Sequence, residues 1–162
     1  MTRLTRRTVV RGSAGALTLS FIAGCTGDDD DDDAANDLTP EEVAVEWASD
    51  AHNFDDEGDI ADHTGEDEVE VENGGTANGN YTYEPAVVRI DEGATVNWVW
   101  TSPGHTVTLI PSEGATLTDW DEHDEEEGEG FEHAVTFDEA GVALYECRPH
   151  RADPQRGAVI VE

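Results

Sequence analysis

An antiparallel β-sandwich preceded by one short helix is the fold the sequence predicts, and three observations predict it. From Glu66 onward apolar residues recur at every second position, the period of half-buried strands. These runs are short and are separated by turns rich in Gly, Pro and Asp over about 100 residues, the size of a two-layered all-β domain. No helical pattern interrupts them, and helix-start chemistry is concentrated ahead of them, after Leu38.

Residues 1–24 stand outside this fold. Thr5-Arg6-Arg7-Thr8-Val9-Val10-Arg11 is a twin-arginine export motif, a weakly apolar stretch from Gly12 to Phe21 follows, and Ile22-Ala23-Gly24-Cys25 resembles a lipoprotein processing box. Cleavage before Cys25 and lipid attachment to its thiol are therefore expected. A retained transmembrane anchor is the competing reading. A spanning helix needs about 20 predominantly apolar residues, whereas this stretch is shorter and rich in Gly, Ser and Thr. Residues 25–37, with the run Asp28 to Asp33, cannot bury enough apolar surface to order themselves and read as a lipid-attached acidic disordered tether. Consecutive aspartates lack the spaced ligands and glycine turn of a calcium loop.

Residues 38–65 supply the helix and an extension. Thr39 is the N-cap, Pro40 occupies the first helical position, Glu42 closes a capping box and Leu38 staples to Val43. The helix runs to about Ser49 and lays Val43, Ala44, Trp47 and Ala48 on the domain. Residues 66–162 form the sandwich. Val69 and Val71 alternate with glutamates, Val88 and Ile90 flank Arg89, and Val96, Trp98 and Trp100 share a face. His105-Val107-Leu109, His133-Val135-Phe137, Ala143-Tyr145-Cys147 and Ala158-Ile160 continue the period. The acidic stretch Asp119 to Glu129, with His123 in it, reads as a solvated loop, and His52, His63, His123 and His133 share no metal-ligand spacing.

Charge narrows the function. The chain has 39 acidic and 8 basic residues, none of them lysine, for a net charge of -31. Loss of residues 1–24 leaves 39 acidic against 4 basic residues, a net charge of -35. Such a surface repels nucleic acid, and the polybasic stripe that nucleic-acid binding needs is absent. Acidity of this degree suits molar salt, where the Debye length falls to about 3 Å and self-repulsion is quenched. Three of those four arginines, Arg148, Arg151 and Arg156, crowd one loop, where they either pair with local carboxylates or contact an acidic partner.

That loop carries the chemistry. Of two cysteines the first is assigned to lipid, which leaves Cys147 alone outside the cell, where an unpaired thiol oxidises unless a metal holds it. His150 follows Cys147 by three positions and Gln155 by eight, inside Tyr145-Glu-Cys-Arg-Pro-His-Arg-Ala-Asp-Pro-Gln-Arg-Gly157. A thiolate and an imidazole from one short loop are two of the three strong ligands of a blue-copper site. His105, in Thr101-Ser-Pro-Gly-His105, is the candidate for the third. A lone histidine on an apolar strand face is more often a satisfied core residue; its partnership with a Cys-x-x-His loop makes it a ligand candidate.

From about Thr39 to Glu162 the chain resembles the halocyanins, plastocyanin-like blue-copper proteins of salt-loving archaea. The residues that carry the resemblance are Trp98-Val-Trp-Thr101, Gly104-His105, Phe137-Asp-Glu-Ala-Gly141, Tyr145-Glu-Cys-Arg-Pro-His150 and Gly157-Ala-Val-Ile-Val161. It implies a cupredoxin-like Greek-key sandwich and one type 1 copper ion held by His105, Cys147 and His150. The family's axial methionine position falls on Gln155, and the only methionine in the chain is Met1. Axial glutamine occurs in the phytocyanin branch, so Gln155 is either that ligand or a surface residue beside three-coordinate copper. Asp153-Pro154 replaces the small, flexible residues usual before this position. The resemblance further implies a monomeric carrier, not an enzyme, that shuttles single electrons between membrane-associated redox partners at the outer face of the cytoplasmic membrane. The competing readings are a non-redox copper-binding or copper-delivery lipoprotein, a zinc site using the same donors, and more remotely an adhesion module, which has no need of the Cys147-His150 loop.

Overall fold

A computed structural model describes residues 38–162; the export motif, Cys25 and the tether lie outside the described residues. The helix α1 (Pro40–Ala48) starts as its residues dictate. Thr39 Oγ1 accepts from the Glu42 N–H at 3.2 Å, and the Glu42 carboxylate accepts from the Thr39 N–H at 2.8 Å. No helix among the described residues is long and apolar enough to cross a membrane.

Among the described residues ten strands form two sheets. One runs in the order β1 (Ala61–Asp62), β4 (Val87–Ile90), β10 (Arg156–Val161), β9 (Gly141–Glu146), β6 (His105–Leu109) and β7 (His123–Glu127). The other runs β3 (Asn80–Glu84), β2 (Glu68–Ala77), β5 (Thr95–Trp100) and β8 (Glu132–Thr136). Their facing sides meet in one core that includes Val71, Tyr83, Trp98, Trp100, Val107, Tyr145, Cys147 and Val159. Burial of each large apolar side chain contributes about 1.5–3 kcal/mol, and the aromatic members interlock edge to face, with Trp98 5.2 Å and Tyr83 4.8 Å from Tyr145 between ring centroids.

Helix α1 covers the opposite face of the six-stranded sheet. Val43, Ala44, Trp47 and Ala48 pack there with Val87, Val142, Leu144, Ala158 and Ile160. This explains why β9 is buried at every position and β10 at all but Arg156: their two faces belong to two different apolar layers. Trp47 Nε1 locks the helix in place, donating to the carbonyls of Tyr145 at 3.2 Å and Gly157 at 3.1 Å.

Two expectations are corrected. The sandwich is not purely antiparallel, because β2 pairs in parallel with β5, and β4 in parallel with both β1 and β10. Alternation reports which side chains are buried and is blind to strand direction. The acidic stretch is likewise not all loop: His123–Glu127 pairs antiparallel with β6 as an edge strand. Its carboxylates hide the alternation because neither face is apolar, and Thr108 Oγ1 on β6 donates to Asp124 at 2.8 Å. A charged edge of this kind also discourages pairing with another chain.

Gly157 lies directly opposite Tyr145 in the β9–β10 ladder. A Cβ at this position would come within 2.5 Å of Cε2 and the hydroxyl oxygen of that buried ring. Gly157→Ala is expected to lower stability by about 1–3 kcal/mol through overpacking. Denaturant unfolding reads this as a lower midpoint; an unchanged midpoint would mean that the Tyr145 ring has room to swing.

Candidate metal centre

Four candidate donors come from β6 and from the loop that joins β9 to β10. His105 opens β6, Cys147 follows β9 directly, His150 closes a short 3-10 turn (Arg148–His150), and Gln155 immediately precedes β10. The loop between them is drawn shut at its base, where the Cys147 N–H donates to the Gln155 carbonyl at 2.9 Å. Inside it, the His150 N–H donates to the Cys147 carbonyl at 3.0 Å and the Asp153 N–H to the His150 carbonyl at 3.1 Å. Strand geometry thus delivers Cys147 and Gln155 side by side, and the turn between them projects His150.

The ligand atoms of His105, Cys147 and His150 all lie within 4.8 Å of one another. Cys147 Sγ is 3.7 Å from His105 Nδ1 and 3.1 Å from His150 Nδ1, and His105 Nδ1 is 2.9 Å from Gln155 Oε1. Cys147 and His105 are fully buried, Gln155 is 1% exposed and His150 is half-buried. Gln155 is therefore not a surface residue.

The hydrogen bonds around these side chains decide which way each one faces. Gln155 Nε2 donates to Asn73 Oδ1 at 2.9 Å and to the Thr82 carbonyl at 3.1 Å. A flipped amide would set Oε1 against those two acceptors, so Oε1 must face His105. On the other ring edge Ser102 Oγ lies 3.0 Å from the Gly74 carbonyl and 3.0 Å from His105 Nε2. With the imidazole proton on Nε2, the bare Nδ1 lone pair faces Oε1 and Sγ; with it on Nδ1, the ring donates to Oε1. In the first state a cation held among Nδ1, Oε1 and Sγ takes the place of that proton. One sulfur and two imidazole nitrogens, with an amide oxygen beside them, are a donor set that fits copper.

Burial pushes the Cys147 thiol up, against smaller opposing effects of hydrogen bonds from Thr106 and His150, and burial pulls His105 down. Both groups are thus neutral without metal, and an arriving cation must displace the thiol proton. Trp100 Nε1 fixes the His105 backbone through its carbonyl at 2.8 Å. Tyr81 covers the outside, its ring centroid 4.7 Å from His105 and 4.6 Å from His150.

A family model described as copper binding proteins, plastocyanin/azurin family, matches residues 69–162. The chain belongs to the plastocyanin/azurin family. Its match spans His105, Cys147, His150 and Gln155 and begins after α1 and β1. Halocyanin from Natronomonas pharaonis is 40% identical over 168 aligned residues, covering 100% of each chain. Plastocyanin from Scenedesmus fuscus is 31% identical over 94 residues, 54% of this chain and 94% of that one. Among solved structures, pseudoazurin from Methylobacterium extorquens shares 30% identity over 59% of this chain and 75% of its own, with a TM-score of 0.48. The fold is the cupredoxin fold and the cofactor is copper, as expected of a blue-copper protein.

Sequence reasoning did not single out Asn73, Ser102, Thr106 or Tyr81. Asn73 reads as one more inward position of β2, and nothing local marks its partner 82 residues away. Ser102 carried a signal that could have been used: a hydroxyl three residues before a candidate ligand is placed to orient the ring. The three loop arginines are paired locally, Arg148 with Asp124, Arg151 with Glu146 and Arg156 with Asp50.

Proposed function

We propose that the chain is a one-electron carrier in which His105, Cys147 and His150 are the strong copper donors and Gln155 is the weak axial one. The observation that carries this reading is the convergence of two imidazole Nδ1 atoms, the thiol sulfur and the Gln155 oxygen, with the His105 ring and the Gln155 amide both held by their neighbours. When bound, copper supplies a couple between Cu(I) and Cu(II). The protein's own part is to keep donor positions nearly fixed. Ser102 and Trp100 hold His105, and Asn73 and Thr82 hold Gln155, so little has to move when the charge changes. His150, half-buried beneath Tyr81, offers the route to the surface. Arg148 and Arg151 keep 53% and 56% of their side-chain surface exposed, which leaves them able to meet an acidic redox partner as well as their local carboxylates.

The same reading places the chain outside the cell as a monomer without enzymatic activity, anchored by lipid on Cys25 to the outer face of the cytoplasmic membrane and serving membrane-associated redox proteins. The twin-arginine motif and the Cys25 processing box support it.

The axial assignment has a direct test. A carbonyl oxygen is a harder donor than a thioether and favours Cu(II) over Cu(I). If that preference is about 1.4 to 2.8 kcal/mol, Gln155→Met raises a one-electron potential by ~60 to ~120 mV. Electrochemistry of both proteins in the same high salt checks it. An unchanged potential with an unchanged spectrum excludes Gln155 as a donor. A colourless wild-type protein that holds only zinc after copper reconstitution overturns the carrier reading itself.

A further inference from the structure

Gln155 is bracketed by contacts from one short stretch that lies outside the family-matched region, Trp47 to Asn53. Two residues before it, Asp153 Oδ1 lies 2.7 Å from His52 Nε2. One residue after it, Arg156 Nη1 donates to Asp50 Oδ2 at 2.7 Å and lays its guanidinium 4.3 Å from the centre of the Trp47 ring. Trp47 Nε1 donates to the carbonyls of Gly157 and Tyr145, each two residues from a donor. Asn53 Nδ2 donates to the Tyr83 carbonyl at 2.7 Å, beside the Thr82 carbonyl that receives Gln155 Nε2.

We propose that this stretch is a positioning element for the axial donor, and that the His52–Asp153 contact sets how far Gln155 Oε1 reaches toward the metal. The inference rests on Gln155 being that donor. It also gives a role to Asp153, which stands where the family usually has a small, flexible residue. The energetic argument favours positioning over stability. His52 and Asp153 keep 28% and 47% of their side-chain surface exposed, and exposed pairs contribute only about 0–1 kcal/mol to folding. The fold has its two apolar layers without them. A loop of four residues between two donors is different, since its path decides the reach of Oε1, and weak axial donation falls off over small displacements. A hydrogen-bonded contact of 2.7 Å also lies within the ~3 Å Debye length of molar salt, so high salt leaves it in force.

The test reads Gln155 with and without copper. In the metal-free protein at high salt, His52→Ala is expected to speed exchange of the Gln155 side-chain amide protons several-fold by NMR, with the global unfolding midpoint unmoved. In the copper-loaded protein the same change should favour the reduced form about threefold, a rise of ~28 mV for one electron. His52→Gln, which can return a donor near the position of Nε2, should restore both values, and Asp153→Ala should give both responses from the loop side. In a Gln155→Met background His52→Ala should leave the potential where Gln155→Met put it. Unchanged amide exchange in His52→Ala, or a potential shift that persists undiminished in the Gln155→Met background, overturns the proposal. If wild-type protein takes up no copper while the exchange response is present, the copper reading fails and the positioning of Gln155 stands.

Discussion

Cys147→Ser is expected to remove the visible absorption of the oxidised protein altogether and to lower copper affinity by more than the ~10–100-fold that loss of an outer hydrogen-bonding partner costs. The absorption depends on charge transfer from a thiolate, and a serine hydroxyl at neutral pH is neither soft nor charged. Charge sharpens the test. Because burial holds the Cys147 thiol protonated and His105 neutral before loading, metal uptake by the wild type should release about one proton per ion near neutral pH. Apparent affinity should then rise about tenfold per pH unit until the thiol titrates by itself. The variant has no such proton to lose, so its affinity should be flat over the same range. Calorimetry in two buffers of different ionisation enthalpy, beside an optical titration, reads both quantities. A variant that stays coloured would remove Cys147 from the site.

Gly74→Ala should damage the site without touching a donor. Gly74 is the extra residue of a bulge in β2, since Asn73 pairs with Tyr83 and Gly75 with Thr82. Its backbone sits at φ +99, where an L side chain costs roughly 1–2 kcal/mol. A Cβ there would also collide with Ser102 Oγ and stand 2.8 Å from Nε2 and Cδ2 of His105. The ring must turn or the bulge must move, and either breaks the hydrogen bond between Ser102 and His105 Nε2. Copper affinity is expected to fall on the order of 10–100-fold, the cost of losing an orienting partner, together with a lower unfolding midpoint. Ser102→Ala isolates the two effects, because it loses the hydrogen bond while keeping the glycine backbone. Competition against a copper chelator and denaturant melts of the three proteins decide the matter. Wild-type affinity in Gly74→Ala would mean that the bulge relaxes away from the ring.

The parts of the site that were legible in the sequence are those set by local spacing. Cys147 and His150 share one loop, and the period-two pattern alone turns Cys147 inward with Tyr145 and His105 inward with Val107. Orientation was not legible, because it is imposed from far away: Asn73 and Thr82 fix the Gln155 amide across separations of 82 and 73 residues. The same limit applies to Asp153, an unexplained departure until His52 is seen 101 residues earlier in the chain. In the fold, the capping box of α1 and the alternation of β2 and β5 were readable because local chemistry and one-sided burial produce them. Strand direction was not, and the Ala158-Ile160 alternation read in β10 marks only one of its two buried faces, the one under α1.

The burial of β9 and β10 on both faces has a consequence in time. Backbone that is hydrogen-bonded on both edges and sealed between two apolar layers opens last among the fluctuations of a domain, close to the free energy of global unfolding. Cys147 leaves the end of one of these strands and Gln155 enters the other. The slowest clock in the molecule and two of its proposed metal donors are therefore joined, since the donors adjoin the ends of that pair of strands. Escape of a held ion through loss of those two donors shares its barrier with denaturation, and the faster rearrangements are left to His150 and the loop around it.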